Sequence, residues 1–183
     1  MSNTRYGWRS GIVHAKGLKV NRGFLPESIW IPANQLSLQT SGTAATAGQQ
    51  DDVPVTVHTH NSDDEATFSV LIPESVKPTT CMKIYVYWLS ADTEGKTNAW
   101  DIDYRVTGEG SDVGAGSTSN VTTTDTDSTT ANALNISSAL TIPCSDVTPG
   151  SVFHGLLYND NSEGTIDDDP KVVGLKIVFE DKG

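Results

Sequence analysis

Four histidines and a surplus of aspartates are the residues of this 183-residue chain best equipped for chemistry. His58-Thr59-His60 sets two imidazoles two residues apart, hence on one face of an extended strand, with Asp63 and Asp64 just beyond. Imidazole with carboxylate is the donor set of a transition-metal site, which takes its remaining ligands from neighbouring strands. His14 and His154 stand in no matching motif. The pair is therefore read as two surface histidines beside a turn. The run Asn159-Asp160-Asn161-Ser162-Glu163-Gly164-Thr165-Ile166-Asp167 places oxygen side chains at alternating positions, with glycine sixth and isoleucine eighth, as in a calcium loop. Its twelfth position is Pro170 where a bidentate glutamate belongs, so it is read as a solvated loop. No metal site is assigned and no cofactor is expected. His58, His60, Asp160 and Asp167 are the residues that would ligate a metal if one bound.

Asp101 and Asp103 share a strand face and have the residue types of a carboxylate pair for acid and base work. Arg105 follows on the same face, so a wet sheet surface with a local ion pair accounts for them better. No glycine-rich phosphate loop, no serine nucleophile elbow and no Cys-His arrangement occurs. The chain is expected not to be an enzyme. Cys81 and Cys144 have no metal-site spacing. They are read as two reduced, buried thiols, which would pair only if the protein matures in an oxidising environment.

The elements that must position these residues are strands. Val53, Val55 and Val57 alternate with Thr56 and His58, and Phe68, Val70 and Ile72 share a face before Pro73. Met82 to Leu89 is apolar on both faces, which predicts a central strand covered on each side. Trp100, Ile102, Tyr104 and Val106 point one way and Asp101, Asp103, Arg105 and Thr107 the other, and this strand is expected to form a hairpin with the preceding one across Asp92 to Asn98. Gly108 to Thr130 is a Gly, Ser, Thr and Asp stretch, a long surface excursion or strands with polar faces. Ala131 to Leu140 is taken as strand. Val152 to Tyr158 and Val172 to Phe179 are strongly apolar and are expected to pair antiparallel. About eight or nine short strands joined by turns give an all-β fold, an antiparallel β-sandwich or jelly roll with an N-terminal arm.

Composition agrees. The chain has 22 Thr, 18 Ser and 16 Asp against 7 Glu, a bias away from helix formers. No apolar run approaches the roughly 18 residues of a membrane span, and the N-terminus lacks the apolar stretch of a secretory leader. A soluble protein is expected. The formal net charge of −11 is unevenly placed. Residues 1–26 carry Arg5, Arg9, Lys16, Lys19 and Arg22 and no carboxylate, whereas residues 27–183 carry 7 basic and 23 acidic side chains. The chain thus divides into a basic arm, 1–26, and one sandwich domain, 27–183. Trp8 and Phe24 add apolar mass to the arm, so it is expected to dock on acidic protein surface rather than on nucleic acid.

The order Trp100-x-x-x-Tyr104-Arg105, Thr130-Ala131-Asn132-x-Leu134, Pro149-Gly150 and Val173-Gly174-Leu175 resembles uncharacterised β-sandwich proteins encoded among the virion structural genes of tailed phages, especially marine ones. The resemblance spans residues 29–180. Size and acidity are also compatible with single jelly-roll capsid subunits. The resemblance implies a bacteriophage virion protein, a shell or decoration subunit that forms homo-oligomers and meets other virion proteins; the arm is no part of that pattern, and it is the division of charge that makes Arg5, Trp8, Arg9, Lys16, Lys19, Arg22 and Phe24 the expected partner contacts. A carbohydrate-binding or host-recognition module, using Trp8, Trp30, Trp88 or Trp100 as a stacking platform, is the alternative. A metal-dependent cupin-like enzyme is the third.

Overall fold

The alternation of apolar and polar side chains becomes β-structure almost throughout. The computed structural model describes residues 27–38, 44–60, 64–113, 118–160 and 162–181, and the basic arm lies outside them. The described strands are β1 (Glu27–Pro32), β2 (Ser37–Leu38), β3 (Thr46–Gln50), β4 (Val53–Val57), β5 (Glu65–Leu71), β6 (Thr80–Leu89), β7 (Thr97–Thr107), β8 (Ser119–Thr126), β9 (Leu134–Ile136), β10 (Leu140–Ile142), β11 (Val152–Asn159) and β12 (Lys171–Asp181). Among the described residues there is no α-helix, and none long and apolar enough to cross a membrane. The strand count exceeds the expected eight or nine because Ala131 to Leu140 yields β9 and the start of β10, and the polar connector after β1 yields β2 and β3.

Antiparallel pairing sorts the strands into two sheets that form a β-sandwich. The seven-stranded sheet runs β10-β6-β12-β4-β3, with β1 also on β12 and β9 also on β6; the five-stranded sheet runs β2-β5-β11-β7-β8. Between them lie the fully buried Met82, Ile84, Val86 and Trp88 of β6, Ile102 of β7, Phe153 and Leu157 of β11 and Leu175 and Ile177 of β12. Each such side chain contributes about 1.5–3 kcal/mol. Trp88 meets Trp100 edge-on at 6.0 Å, and Tyr104 stacks on Phe153 at 5.4 Å. Gly155 is required where it stands: a Cβ there would lie 2.4 Å from Phe68 Cζ. The outer face of β6 is only half-covered, with Lys83, Tyr85 and Tyr87 at intermediate exposure, where covering on both faces was expected.

Two expected pairings are corrected. β6 and β7 form no hairpin, since they belong to different sheets, and β11 and β12 likewise face each other across the core. The polar loops after β6 and β11 are long enough to carry the chain over the end of the sandwich instead of turning within a sheet. The chain makes this crossing between β4 and β5, between β6 and β7, between β8 and β9 and between β11 and β12. These connections gather at one end, as the pairings Val57↔Lys171, Leu89↔Lys171, Leu89↔Leu134 and Thr97↔Thr126 require.

Cys81, at the start of β6, and Cys144, in a 3-10 turn after β10, are joined as a disulfide. The expectation of two reduced thiols is thereby overturned. The pairing of β10 with β6 delivers both residues to the opposite end from the crossing loops, a proximity that their spacing in sequence does not disclose.

Candidate functional site

All four residues named for a metal fall at the crossing end, and each is engaged elsewhere. His58 leaves β4 buried, not on a wet face, because Thr56 before it is itself buried and bonded to the Ala33 carbonyl. Its Nδ1 lies 2.8 Å from the Asp64 carbonyl, and its ring meets Trp100 edge-on at 5.4 Å. A carbonyl only accepts, so Nδ1 carries the proton. Burial lowers its pKa to about 4. His60 Nδ1 pairs with Asp169 Oδ1 at 2.9 Å, and this hydrogen bond holds the Asp169 carboxyl below its ordinary pKa. Lys96 takes Asp167 at 2.6 Å and also meets Asp92 and Glu94. Asp160 accepts from the Ser162 amide and hydroxyl. Among the described residues no three His, Cys, Asp or Glu side chains converge to hold a metal.

The same end contains a cluster that the sequence reading missed. Ser90 Oγ accepts the Asp92 amide at 2.9 Å and stands 3.0 Å from both Asp127 Oδ2 and Asp168 Oδ1. One hydroxyl proton faces two carboxylates. Burial, with the charges of Asp92 and Asp168 adding, raises the Asp127 pKa. A raised carboxyl pKa favours folding below the ordinary value, and that contribution is lost as pH rises through the folded value. At neutral pH the ionised Asp127 is therefore a cost. Asp127→Asn, which removes a buried charge, is expected to raise the melting temperature at pH 7 by about 2–4 °C, the shift that about 1 kcal/mol brings in a chain of this size, and to leave it unchanged or lower at pH 3. Thermal melts at the two pH values check this, and a lower midpoint at pH 7 would refute it.

The outer face of the five-stranded sheet carries the other candidates. Cross-strand register lays its side chains in rows: Glu65, Tyr158, Asp101 and Thr122; then Thr67, Leu156, Asp103 and Asn120; then Ser69, His154 and Arg105. Asp101 is 7% exposed, so it is not the solvated carboxylate expected. Asn120 Nδ2 reaches Asp103 at 2.8 Å and Tyr158 Oη at 3.1 Å. Burial raises the Tyr158 pKa, with Asp101 and Asp103 adding. Arg105 forms no ion pair among the described residues; its Nη1 donates to the Val113 carbonyl at 2.8 Å. His154 Nδ1 lies 2.9 Å from Ser69 Oγ. A groove of about 390 Å³ opens along the second and third rows.

The outer face of the seven-stranded sheet is different in kind. Trp30 is 46% exposed, Leu134 55% and Ile136 53%. The Trp30 indole lies over Gly174, where a Cβ would come within 2.5 Å of the ring, and meets Tyr87 edge-on at 5.1 Å. Ile136 pairs with Tyr87 across the strands, which joins these groups into one apolar strip. Of the four tryptophans considered as platforms, Trp88 and Trp100 are fully buried. Trp8 lies outside the described residues, as do Arg5, Arg9, Lys16, Lys19, Arg22 and Phe24.

No family model matches this chain, and no curated protein sequence matches it. Among solved structures it is similar to the xylan-binding module CBM15, with 13% identity and a TM-score of 0.48, over 86% of this chain and 99% of that one. It is similar to CBM35 from Cellvibrio japonicus, with 8% identity and a TM-score of 0.47, over 86% and 99% of the two chains. It is also similar to a chain in the structure of infectious bursal disease virus Gx strain, with 15% identity and a TM-score of 0.42. That match covers 99% of this chain and 37% of the viral one.

Proposed function

We propose that this protein is a non-enzymatic virion structural subunit, building or decorating a capsid and assembling with copies of itself and with other virion proteins. The observation that carries the reading is the apolar strip formed by the exposed Trp30, Leu134 and Ile136 about the half-buried Tyr87, on the sheet to which β1 belongs. An exposed strip of this kind is costly in a lone protein and is relieved by a neighbour. The basic, aromatic arm continues directly into β1, and an acidic body on the next subunit is its electrostatic complement. The Cys81–Cys144 bridge suits a particle that persists outside a reducing cytoplasm. In this reading Arg5, Arg9, Lys16, Lys19 and Arg22 supply charge, and Trp8 and Phe24 supply anchors. No direct contact with nucleic acid and no membrane span is part of this reading.

Deletion of residues 1–22 is expected to leave the body folded, with an unchanged circular dichroism spectrum, and to abolish its recovery in purified particles. Undiminished incorporation of the shortened chain would refute the anchoring role. A second reading, carbohydrate binding in host recognition, is favoured by the groove on the opposite sheet, where an apolar lining carries a few polar side chains.

A further inference from the structure

We infer that the groove over β5, β11 and β7 binds a neutral pyranose residue of a glycan. This rests on the recognition reading and is independent of the assembly reading, because the groove and the apolar strip lie on opposite faces of the sandwich. The groove's volume of about 390 Å³ falls within the range of small-molecule sites, about 300–1,000 Å³. Its working side chains are Thr67, Ser69, Asp103, Arg105, His154 and Leu156.

Their chemistry selects the ligand. A sugar ring offers hydroxyls that both donate and accept along its edge, and an apolar C–H face. Arg105 supplies guanidinium donors, and the Val113 carbonyl holds one of its nitrogens so that the group is already oriented. His154 is fixed through Nδ1 by Ser69, which leaves Nε2 as its second polar atom. Asp103, on the same face two residues from Arg105, supplies an acceptor and is steadied by Asn120. Vicinal hydroxyls can therefore accept from Arg105 and donate to Asp103. Leu156, between Thr67 and Asp103 in its row, supplies an apolar surface for the ring face. One guanidinium and one carboxylate balance in the lining, and the chain carries −11, so a uronate gains nothing over a neutral hexose.

The test is a glycan array of neutral and uronate oligosaccharides probed with the full chain, followed by titration calorimetry on a neutral binder. Arg105→Ala and His154→Ala are each expected to weaken binding about tenfold or more, as loss of a ligand-facing charged or polar group does. Their melting temperatures should match the parent, which separates lost contact from lost fold. Trp30→Ala should bind as the parent does. The inference is overturned by no binding on the array, by binding to uronates alone, by affinity indifferent to both groove variants, or by affinity lost only in Trp30→Ala. Particle incorporation of Arg105→Ala should be normal; its failure would count against the assembly reading's choice of face and not against the groove.

Discussion

Reduction of the Cys81–Cys144 disulfide is expected to lower the stability of this protein by about 4 kcal/mol. The bridge closes a sequence separation of 63 residues. Constraining a loop of that length removes about 14 cal/mol/K of entropy from the unfolded chain, or about 4 kcal/mol at 25 °C. For a chain of this size the midpoint should fall by roughly 8–16 °C. Geometry adds to the effect. Cys81 and Cys144 hold β6, which pairs with β12, to the chain just after β10, a strand of only three residues. Once the bridge is gone, that short strand is held by its backbone bonds, by burial of Leu140 and Ile142 and, just beyond it, by the Tyr104–Asp146 hydrogen bond. Thermal melts with and without a phosphine reductant, and of the double variant Cys81→Ser/Cys144→Ser, check this. The two should agree, and a midpoint unmoved by either would show that the closure contributes nothing.

What the chain discloses without its structure is set by what periodicity can encode. Alternation placed Trp100, Ile102 and Tyr104 inward on β7, and all three are buried. Alternation says nothing about which sheet a strand joins, and both failed pairings, β6 with β7 and β11 with β12, were failures of that kind. Proximity in sequence favoured hairpins; the crossing loops decided otherwise. His58 was misplaced because the face that alternation assigns it, shared with Thr56, is covered and not wet, which the polar residue types on it do not disclose.

The groove was half legible for the same reason. Asp103 and Arg105 were seen to share a face, and were expected to neutralise each other. In the structure each has a different partner, Asn120 and the Val113 carbonyl, supplied by β8 and by the loop before it. His154 and Ser69 complete the site through cross-strand register, to which no spacing within one segment gives access. The disulfide and the Ser90–Asp127–Asp168 cluster belong to the same class, since their members meet only once the sheets have formed.

Acidification should destabilise the protein through His58 before any carboxylate adds a loss of its own. The His58 ring is fully buried, its Nδ1–H is committed to the Asp64 carbonyl, and Nε2 has no protein partner among the described residues. A second proton would place both a charge and an unsatisfied donor beside Trp100. The pKa is therefore lowered to about 4, against 6.5 for the unperturbed ring. A depressed folded pKa contributes stability that is present above the unfolded value and is lost as pH falls through the folded one. Between pH 6.5 and 4 the loss is about 3 kcal/mol, from 1.36 kcal/mol per unit. Asp169, whose pKa is lowered, adds its loss only below the ordinary carboxylate value, and Asp127, whose pKa is raised, acts with the opposite sign. The variant His58→Asn keeps a donor toward Asp64 and removes the titration. It should be less stable at pH 7 but nearly flat from pH 6.5 to 4, while Asp127→Asn should steepen the parent's decline. Urea midpoints across that window, together with the ring's proton chemical shifts, decide the matter. An equal slope in His58→Asn, or a ring that titrates near 6.5, would remove His58 as the cause.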